Sequence, residues 1–519
     1  MKSSTLRTYI AVHTWVGLVA GFCLFIAFYA GAVTIFHEEL HAWETPPPKT
    51  ARPAAEPQAL IDAVLATQPK ARESFYLRLP SEYEPELILE FDERHFRFDA
   101  AGKLEEFKQH SQLSEFIYRL HYTAGLPRSW GLYTLGVICV LYGVALASGV
   151  IVYAPTFFKD LFALRIGKNI KRMWQDAHNA IGILSLPFHL MYAWSSAILA
   201  LGVVLLAPFQ YLIFDGKLLQ LVGPDIYLAA PAKASGVAAP LVPLPQLMAT
   251  MRREAPGIEV GSLFYRHAGD ANAQVEAYGK IDQNTVASMA AAVLNGSTGK
   301  LERLMMPENF SAGTRFLRSL QALHFGGFGQ AAVQWMYFIL GMAGAFLFYS
   351  GNLLWIEARR KRQSLVQPRS GKLMAQGTLG VCLGCVAGVS AVFLINKLGP
   401  ANALPLWEER GYYAVFLLCV AWAFARPPAR AGYELLMLCA GLTLAIPLAH
   451  WVGSGVNPLL ALVEGDGVVV GVALVALTFA ALYRKMARAV LRRGLHGDPH
   501  SVWSLRAPTA AAGEARQAA

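Results

Sequence analysis

The sequence predicts a polytopic α-helical membrane protein of about eight transmembrane helices. Of its 519 residues, 55% are apolar and only 15% are charged, whereas about 25% of the residues of a soluble globular chain are charged. The apolar residues form long runs, and a bilayer core about 30 Å thick needs about 20 such residues per helix. The net charge of +10 comes largely from Lys and Arg near the ends of these runs. This composition excludes a disordered chain, a disulfide-rich secreted module and an ordinary cytosolic enzyme, and it requires no nucleic-acid partner.

Eight apolar runs are candidates for membrane spans. They cover residues 10–36, 130–154, 179–208, 331–356, 375–396, 411–426, 433–451 and 467–484. No small-residue cleavage site follows the first run, so we expect it to be retained as an anchor rather than removed as a signal peptide. Lys and Arg cluster before the first run, after the last and in every second connection. The positive-inside rule then places both termini in the cytoplasm of a multi-pass protein.

This topology places two long connections on the outer side of the membrane. The expected order is a first span at 1–36, an outer domain at 37–129, two spans with a basic inner loop at 130–208, a second outer domain at 209–330, a span at 331–356, four spans at 375–484 and a cytoplasmic tail at 485–519. We expect no role for the last four spans beyond bracing or contact with an electron donor.

Both outer segments have the pattern of a small α+β domain. A helical pattern at 58–67 precedes two expected strands between Phe75 and Phe98, and a helical pattern at 243–254 precedes a strand region at 259–277. Turns rich in Gly and Asn follow, at 99–104 and 295–301, because these residues tolerate positive φ.

The first four spans and their outer segments read as one unit used twice. The matched residues are His13 and His178 at the cytoplasmic ends of spans 1 and 3, Gly17 and Gly182 four residues later, His121 and His324 before spans 2 and 4, and the Ser-Gly pairs at 148–149 and 350–351. Parallel repeats are related by an axis along the membrane normal. We therefore expect matched histidines to face each other across that axis.

This order of elements, the Gly-Lys-Leu turns between outer strands and the His-x-x-x-Gly helix openings resemble the PepSY-associated transmembrane family. The resemblance covers about residues 1–365, and the run from Ala177 to Met191 is similar to the iron-regulated, siderophore-reductase branch. That branch implies b-type haem, here two groups, in the bacterial inner membrane. It also implies reduction of a ferric siderophore, a hydroxamate-type chelate, in the periplasm to release Fe(II).

Five histidines are the candidate haem ligands: His13, His178, His189, His121 and His324. Ionisable groups at membrane depth are costly and usually mark a site. On one continuous helix, His178 and His189 would lie about 16 Å apart and about 20° from a shared face, which suits two stacked haems. His13 and His178 would form a bis-His site near the cytoplasmic face.

The ligands of the outer haem stay open between three histidines. His121 and His324 form the matched pair there, alone or with His189, which has no counterpart because Leu24 occupies the matching position. The alternative is that these histidines are structural and hydrogen bond to neighbouring groups. His37 and His41 could bind an outer-face metal, although a solvated helix end is the favoured interpretation.

Motifs for other redox chemistry are absent from the sequence. It contains no dinucleotide fingerprint and no large inner loop, so electrons would come from quinol or from a separate reductase. The six Cys all fall within spans, so no disulfide is expected in the outer domains. No catalytic residue is identified. The alternative function is a haem-free membrane protein for binding, sensing or peptidase regulation, or a siderophore transporter, although the lack of acidic residues inside the spans argues against proton coupling.

Overall fold

The structure, a computed structural model, describes residues 3–45, 56–108, 111–160, 165, 169–226, 228, 232–281 and 286–506. Within this part the protein is mostly helical. The chain divides into two compact units, the first made of residues 1–45, 111–200 and 337–519 and the second of 46–110 and 201–336. The end of the predicted cytoplasmic tail, 507–519, lies outside the described residues.

The α-helices follow one another along most of the chain. In order they are α1 (Ser3–Thr34), α2 (His37–Glu44), α3 (Pro57–Thr67), α4 (Leu113–Thr123), α5 (Arg128–Tyr153), α6 (Phe157–Asp160), α7 (Ile170–Leu184), α8 (Leu186–Leu212), α9 (Leu218–Ile226), α10 (Leu244–Glu254), α11 (Ala312–Phe325), α12 (Gln330–Ala358), α13 (Arg369–Leu398), α14 (Leu404–Ala425), α15 (Pro428–Ser454), α16 (Pro458–Glu464) and α17 (Gly467–His496).

Seven helices in the described part of the chain are long and apolar enough to cross a membrane. These are α1, α5, α8, α12, α13, α15 and α17, which coincide with seven of the eight predicted spans. The other prediction, 411–426, falls in α14, where Glu408, Glu409 and Arg410 shorten the apolar run. By length and composition, seven of the eight predicted spans are therefore supported in the described part of the chain.

Helix α14 runs antiparallel to α13 over most of its length. Gln376 Nε2 donates to Phe424 O at 3.0 Å near one end of the pair, and Asn396 Nδ2 donates to Glu408 Oε1 at 3.0 Å near the other. Between these contacts, Gly380, Gly384 and Gly388 of α13 face α14, and small residues at this spacing let two helix backbones approach closely. Of the charged residues near the start of α14, Glu408 is thus buried, whereas Glu409 and Arg410 are exposed.

The third predicted span is interrupted. Helix α7 ends at Leu184 and α8 begins at Leu186, with Pro187 in its first turn. Proline has no N–H to donate to the preceding turn, and its ring disfavours a straight helix there. The break lies between His178 and His189, so the separation of 16 Å and the 20° offset calculated for one continuous helix do not apply.

The second unit contains an antiparallel sheet of eight strands. The strands are β1 (Ser74–Arg78), β2 (Ile88–Phe91), β3 (Arg94–Phe98), β4 (Leu104–Phe107), β5 (Glu259–Arg266), β6 (Gln274–Lys280), β7 (Met289–Asn295) and β8 (Leu301–Met305). Their spatial order is β4-β3-β2-β1-β5-β6-β7-β8. Each half follows its own helix, α3 or α10, and buried side chains of both helices share one core with the sheet, including Leu60, Leu247, Leu77 and Leu263.

The helices α3 and α10 and the turns at 99–104 and 295–301 confirm the predicted patterns, but two details differ. Strands β1 and β5 pair, so the two predicted α+β segments join in one sheet. The region from Phe75 to Phe98 contains three strands rather than two, because Asp92 and Glu93, with φ of 51° and 60°, form a tight turn between β2 and β3. Such turns usually carry Asn-Gly or Asp-Gly, so the local sequence does not indicate this one.

Candidate metal centre

Three of the five predicted histidines contact a neighbouring helix in the same way. His13 Nδ1 lies 2.8 Å from Ala145 O, and His121 Nδ1 lies 2.8 Å from Ala27 O. His178 Nδ1 lies 3.2 Å from Leu347 O. In each case a glycine stands four residues after the carbonyl residue and next to the imidazole: Gly149, Gly31 and Gly351, respectively.

The glycines explain how an imidazole reaches a helical carbonyl. A side chain on a helix covers the turn on its amino-terminal side, so the residue at i+4 normally shields the carbonyl of residue i. Glycine leaves that carbonyl open, and its oxygen has a second lone pair beyond the one used in the helix. A Cβ at position 31 would stand only 2.5 Å from His121 Nδ1. Two of these glycines belong to the Ser-Gly pairs in the sequence.

The same contacts fix the protonation of the three rings. A backbone carbonyl only accepts hydrogen bonds, so each Nδ1 must carry a proton, and in the neutral imidazole the lone pair is then on Nε2. At His178, the Ser350 hydroxyl donates to Leu347 O at 2.8 Å and lies 3.1 Å from Nδ1, so it accepts from the ring as well. An Nδ1–H held by a carbonyl is the usual support for a histidine whose Nε2 binds a metal.

His13 and His178 form a pair. Their ring centroids are 6.1 Å apart and the ring planes are inclined by 76°. Two imidazoles that bind one metal ion from opposite sides, each about 2 Å from it, have centroids about 6 Å apart. Among the described residues, neither Nε2 has a hydrogen-bond partner. The donor set and its spacing therefore fit a bis-imidazole metal centre.

The helices around this pair leave room for a flat group. Gly17, one turn after His13, has no atom of another residue within 4 Å of the place where a Cβ would stand. The matching position beside His178 is Gly182, where the nearest atom is Leu347 Cδ1 at 3.6 Å. Larger side chains at these positions would occupy space beside the imidazoles, so the His-x-x-x-Gly spacing suits a planar ligand such as a porphyrin.

His189 has a different environment from the other three. It is fully buried, and the Tyr142 hydroxyl lies 2.6 Å from its Nδ1. Ser185 Oγ lies 3.0 Å from Nε2 and itself donates to Ile181 O, so Nε2 is the protonated nitrogen. Both ring nitrogens are thus engaged by hydroxyl groups. No pattern in the sequence indicates either partner.

The two remaining candidates lie at the ends of short helices. His121 is near the end of α4, and burial lowers its pKa below the ordinary value, although the bond to Ala27 O acts in the opposite direction. Along α1, Ala27 lies fourteen residues from His13, which corresponds to about 21 Å. His324 is buried near the end of α11 and belongs to the second unit. Four of the five candidate histidines therefore belong to the first unit, and His13 and His178 are the two that the structure brings together.

An ion-pair network joins the first turns of α7 to the segment that precedes this helix, close to His178 in the chain. Arg165 Nε donates to Asp176 Oδ2 at 2.8 Å, and Arg172 lies 3.1 Å from Asp160. Burial raises the pKa of Asp176, but the hydrogen bonds from Arg165 outweigh it and hold the pKa below its ordinary value. Arg172 is already paired in this network, so it is a weaker candidate for binding a ligand carboxylate.

The possible metal site at His37 and His41 has no support in the described residues. His41 Nδ1 lies 2.9 Å from Glu44 Oε1, whereas His37 Nε2 lies 3.9 Å from Glu115 Oε2. No cluster of three or more His, Cys, Asp or Glu side chains in the described part of the chain could hold a metal ion. The six Cys are unpaired in the structure.

Comparison with known proteins identifies the family of the chain. The PepSY-associated TM region matches residues 10–358, which contain all five candidate histidines and end with α12. An uncharacterised protein of Pseudomonas aeruginosa is 28% identical to this chain in an alignment of length 366. The alignment covers 62% of this chain and 85% of that protein. The chain is a multi-pass membrane protein that belongs to the PepSY-associated transmembrane family.

Proposed function

We propose that the protein is a b-type haem electron-transfer protein of the bacterial inner membrane, an oxidoreductase that reduces ferric siderophore in the periplasm. The observation that carries this proposal is the His13–His178 pair. Its ring centroids stand 6.1 Å apart, and both Nδ1 atoms contact backbone carbonyls. This arrangement brings two imidazoles together between the helices with each Nδ1 held by a carbonyl, which in the neutral ring leaves the lone pair on Nε2.

Each residue of the pair has a defined task. His13 and His178 would hold one haem iron, and the carbonyls of Ala145 and Leu347 would keep the rings oriented and correctly protonated. Haem supplies one-electron redox chemistry when it is bound, and two imidazole ligands leave no open position for a gas. Gly17 and Gly182 leave space beside the ligands.

A second haem belongs near His121 in this proposal. Its support is the Nδ1 bond to Ala27 O, which matches that of His13 to Ala145 O. His189 would become a ligand only after Ser185 Oγ turns away from its Nε2. His324 is the other candidate partner, as the duplicated arrangement of the sequence suggests, so the outer pairing stays open between these two residues.

The proposed topology has eight crossings with both termini in the cytoplasm. Its support is α14, which follows α13 as an antiparallel neighbour and returns the chain to the side where α15 begins. With an even number of crossings, the basic connections all lie on the inner side. The eight-stranded sheet is then periplasmic, and its halves are the two PepSY-like modules of a duplicated core.

The chemistry of iron explains why reduction of a ferric chelate would release the metal. Hydroxamate-type chelators hold the hard Fe(III) ion far better than Fe(II), so transfer of one electron to the chelate releases the metal. The electron donor is quinol or a separate reductase, because no described element offers a nucleotide-binding fold. Membership of the family does not by itself specify this function. The proposal of a ferric siderophore substrate rests on the resemblance of the sequence to the siderophore-reductase branch.

The test uses purified protein from haem-replete cells. We expect Soret and α bands of b-type haem after dithionite reduction. Anaerobic addition of a ferric hydroxamate should then reoxidise the protein and yield Fe(II), trapped by ferrozine. The matched control is the gallium complex of the same chelator, which has the same shape but accepts no electron at this potential. A colourless preparation would contradict the proposal and favour a haem-free role in binding, sensing, peptidase regulation or transport.

A further inference from the structure

An aromatic surface lies where the two halves of the sheet join, on the face opposite α3 and α10. Phe75 of β1 and Tyr265 of β5 are buried in the core that the sheet shares with these two helices. Because side chains alternate along a strand, Tyr76 and Phe264 point to the other face. They are cross-strand partners with ring centroids 6.2 Å apart, and both are only partly buried.

Polar and charged side chains flank these two rings. The Arg266 guanidinium lies 4.4 Å from the centre of the Phe264 ring, and Arg266 Nε donates to Glu276 Oε1 at 3.3 Å. The Tyr278 hydroxyl donates to Oε2 of the same carboxylate, which is 4% exposed as a residue. Both oxygens of Glu276 thus accept hydrogen bonds from its own neighbours on β5 and β6.

A second cation, Arg318 of α11, lies beside Tyr278. Its two terminal nitrogens donate to uncharged acceptors, Gln321 Oε1 at 2.9 Å and Ile226 O at 3.4 Å. Its Nε has no hydrogen-bond partner among the described residues. A guanidinium has five N–H groups, so two hydrogens on the terminal nitrogens are left for a further acceptor. Within the described part of the chain, Arg318 forms no ion pair.

The charges of these side chains do not balance. Arg266 and Arg318 carry two positive charges, and Glu276 supplies one negative charge, so the group has a net charge of +1. Arg318 is partly buried, and burial lowers the pKa of its guanidinium, although arginine stays protonated at neutral pH. A partly desolvated charge without a partner is costly, so an oxyanion that reaches Arg318 would recover part of that cost.

The other charged groups nearby do not supply the missing anion. Asp225, at the end of α9, accepts hydrogen bonds from Ser311 and from Thr314 Oγ1 at 3.0 Å, and Arg303 is its cationic neighbour. On the other side of Tyr76, the Glu90 carboxylate is paired with Arg78. Each of these carboxylates has its own cation, so the excess positive charge stays at Arg266 and Arg318.

This group, which we call the Arg318 site, consists of Arg318, Arg266, Tyr278, Glu276, Tyr76 and Phe264, all in the second unit. Arg318 stands six residues before His324 in α11, which corresponds to about 9 Å along the helix axis. His324 is a candidate ligand of the outer haem, so a molecule held at the Arg318 site would lie near the outer end of the proposed electron path.

We propose that the Arg318 site binds ferric chelates that carry a free carboxylate, in preference to chelates that are otherwise identical but end in an ammonium group. Arg318 donates to the carboxylate, and Tyr76 and Phe264 contact the apolar chains of the chelator. The identification of the ligand as a ferric chelate rests on the proposed function. The preference for an oxyanion rests on the charges and contacts of these side chains.

The test compares the gallium complexes of two linear trihydroxamates that differ only in their terminal group, a carboxylate or an ammonium. Binding is measured by isothermal titration calorimetry with the protein in nanodiscs of zwitterionic lipid, without any redox step. We expect the carboxylate complex to bind about tenfold more tightly, because hydrogen bonds between charged groups are the stronger ones. Equal affinities, or tighter binding of the ammonium complex, would overturn the proposal.

Two arginine variants locate the preference on α11. Arg318→Gln should abolish it by weakening the carboxylate complex alone. Arg315→Gln is the matched control, because it removes the same charge from an exposed position of the same helix, and it should leave the preference unchanged. The control also accounts for the net positive charge of the whole chain. A preference that survives Arg318→Gln, or that both variants reduce equally, would overturn the proposal.

The propionates of a haem at His324 are the other source of a carboxylate for Arg318. Haem content by pyridine haemochrome should be the same in Arg318→Gln, Arg315→Gln and the wild type. Loss of haem from Arg318→Gln alone would assign Arg318 to a propionate and overturn the proposal.

The comparison of the two complexes on the wild type decides the proposal even if a variant fails to fold. A colourless protein that prefers the carboxylate complex would refute only the proposed function. A haem protein that reduces ferric chelates but binds both gallium complexes equally would refute only the assignment of the Arg318 site.

Discussion

The glycines beside the histidines permit a graded test of the metal centre. A Cβ at position 149 would stand 2.9 Å from His13 Cε1 and 3.1 Å from His13 Nδ1. A Cβ at position 351 would stand 3.4 Å from His178 Cε1, which is an ordinary contact. Gly149→Ala and Gly351→Ala thus make the same change on the two sides of the pair, but only the first displaces a ring.

The displacement can be estimated from these distances. To restore an ordinary contact of 3.4 Å, the His13 ring must retreat by about 0.5 Å, whereas metal–ligand distances tolerate only about 0.2 Å. Both variants gain about 1 kcal/mol of helix propensity when Ala replaces Gly, so a difference between them reports the ring position. Changes that disturb the support of a ligating histidine weaken metal binding about 10–100-fold, and we expect this for Gly149→Ala alone.

The assay is haem loss from each purified variant to excess apomyoglobin, with haem content by pyridine haemochrome. Thermal unfolding checks that both variants are folded. We expect Gly149→Ala to lose haem at least ten times faster than the wild type, and Gly351→Ala to remain within about twofold of it. Equal rates in the two variants would show that Gly149 does not position His13.

Three further predictions concern other parts of the chain. His178→Ala should remove one haem equivalent in a pyridine haemochrome assay, and full retention would exclude it as a required ligand. The double variant His121→Ala/His324→Ala should slow reduction of the ferric chelate while a quinol still reduces the inner haem; unchanged turnover would remove both residues from the electron path. Hydrogen bonds, first from Ser235 N, hold the pKa of Asp270 at about 2 instead of 3.8. The stabilisation by Asp270 is therefore present above about pH 4 and lost as the pH falls towards 2. Asp270→Asn should melt below the wild type at neutral pH, by a difference that shrinks over this range; a pH-independent difference would contradict the assignment.

The pattern of apolar runs predicted most of the helical architecture. Seven spans were located because a run of about 20 apolar residues is typical of a helix that crosses a bilayer. The eighth differed because α14 begins at Leu404 and includes Glu408, Glu409 and Arg410, which shorten its apolar run. The break before His189 was missed because a single Pro187 within an apolar run does not by itself show whether the helix bends or ends.

Part of the arrangement around the histidines could be predicted from the sequence. The matched histidines and the Ser-Gly pairs were visible in the sequence. The structure shows that Gly149 and Gly351 of these pairs stand next to the imidazoles of His13 and His178. The engagement of both nitrogens of His189 by Tyr142 and Ser185 could not be predicted, because it depends on how α5 packs against α8. Long-range packing of this kind leaves no local pattern.

The same reason explains why the contacts of the Glu44 and Glu408 carboxyl groups with Ser111 were not predicted. Glu44 ends a short helix that contains two other acidic residues, a pattern typical of a solvent-exposed segment. Glu408 lies in a charged segment at the edge of a predicted span. Only the packing of α2, α4 and α14 brings these side chains to Ser111. Both residues lie outside the predicted apolar runs, so the pattern of those runs carries no information about them.

Binding of one haem iron by His13 and His178 from opposite sides is the basis of the proposed electron transfer. An experimental density map of the haem-replete protein in lipid tests it without any assay of activity. We expect a flat density between the two imidazoles, with each Nε2 about 2 Å from a metal peak at its centre. A map in which these rings contact only protein and lipid would contradict haem ligation by this pair.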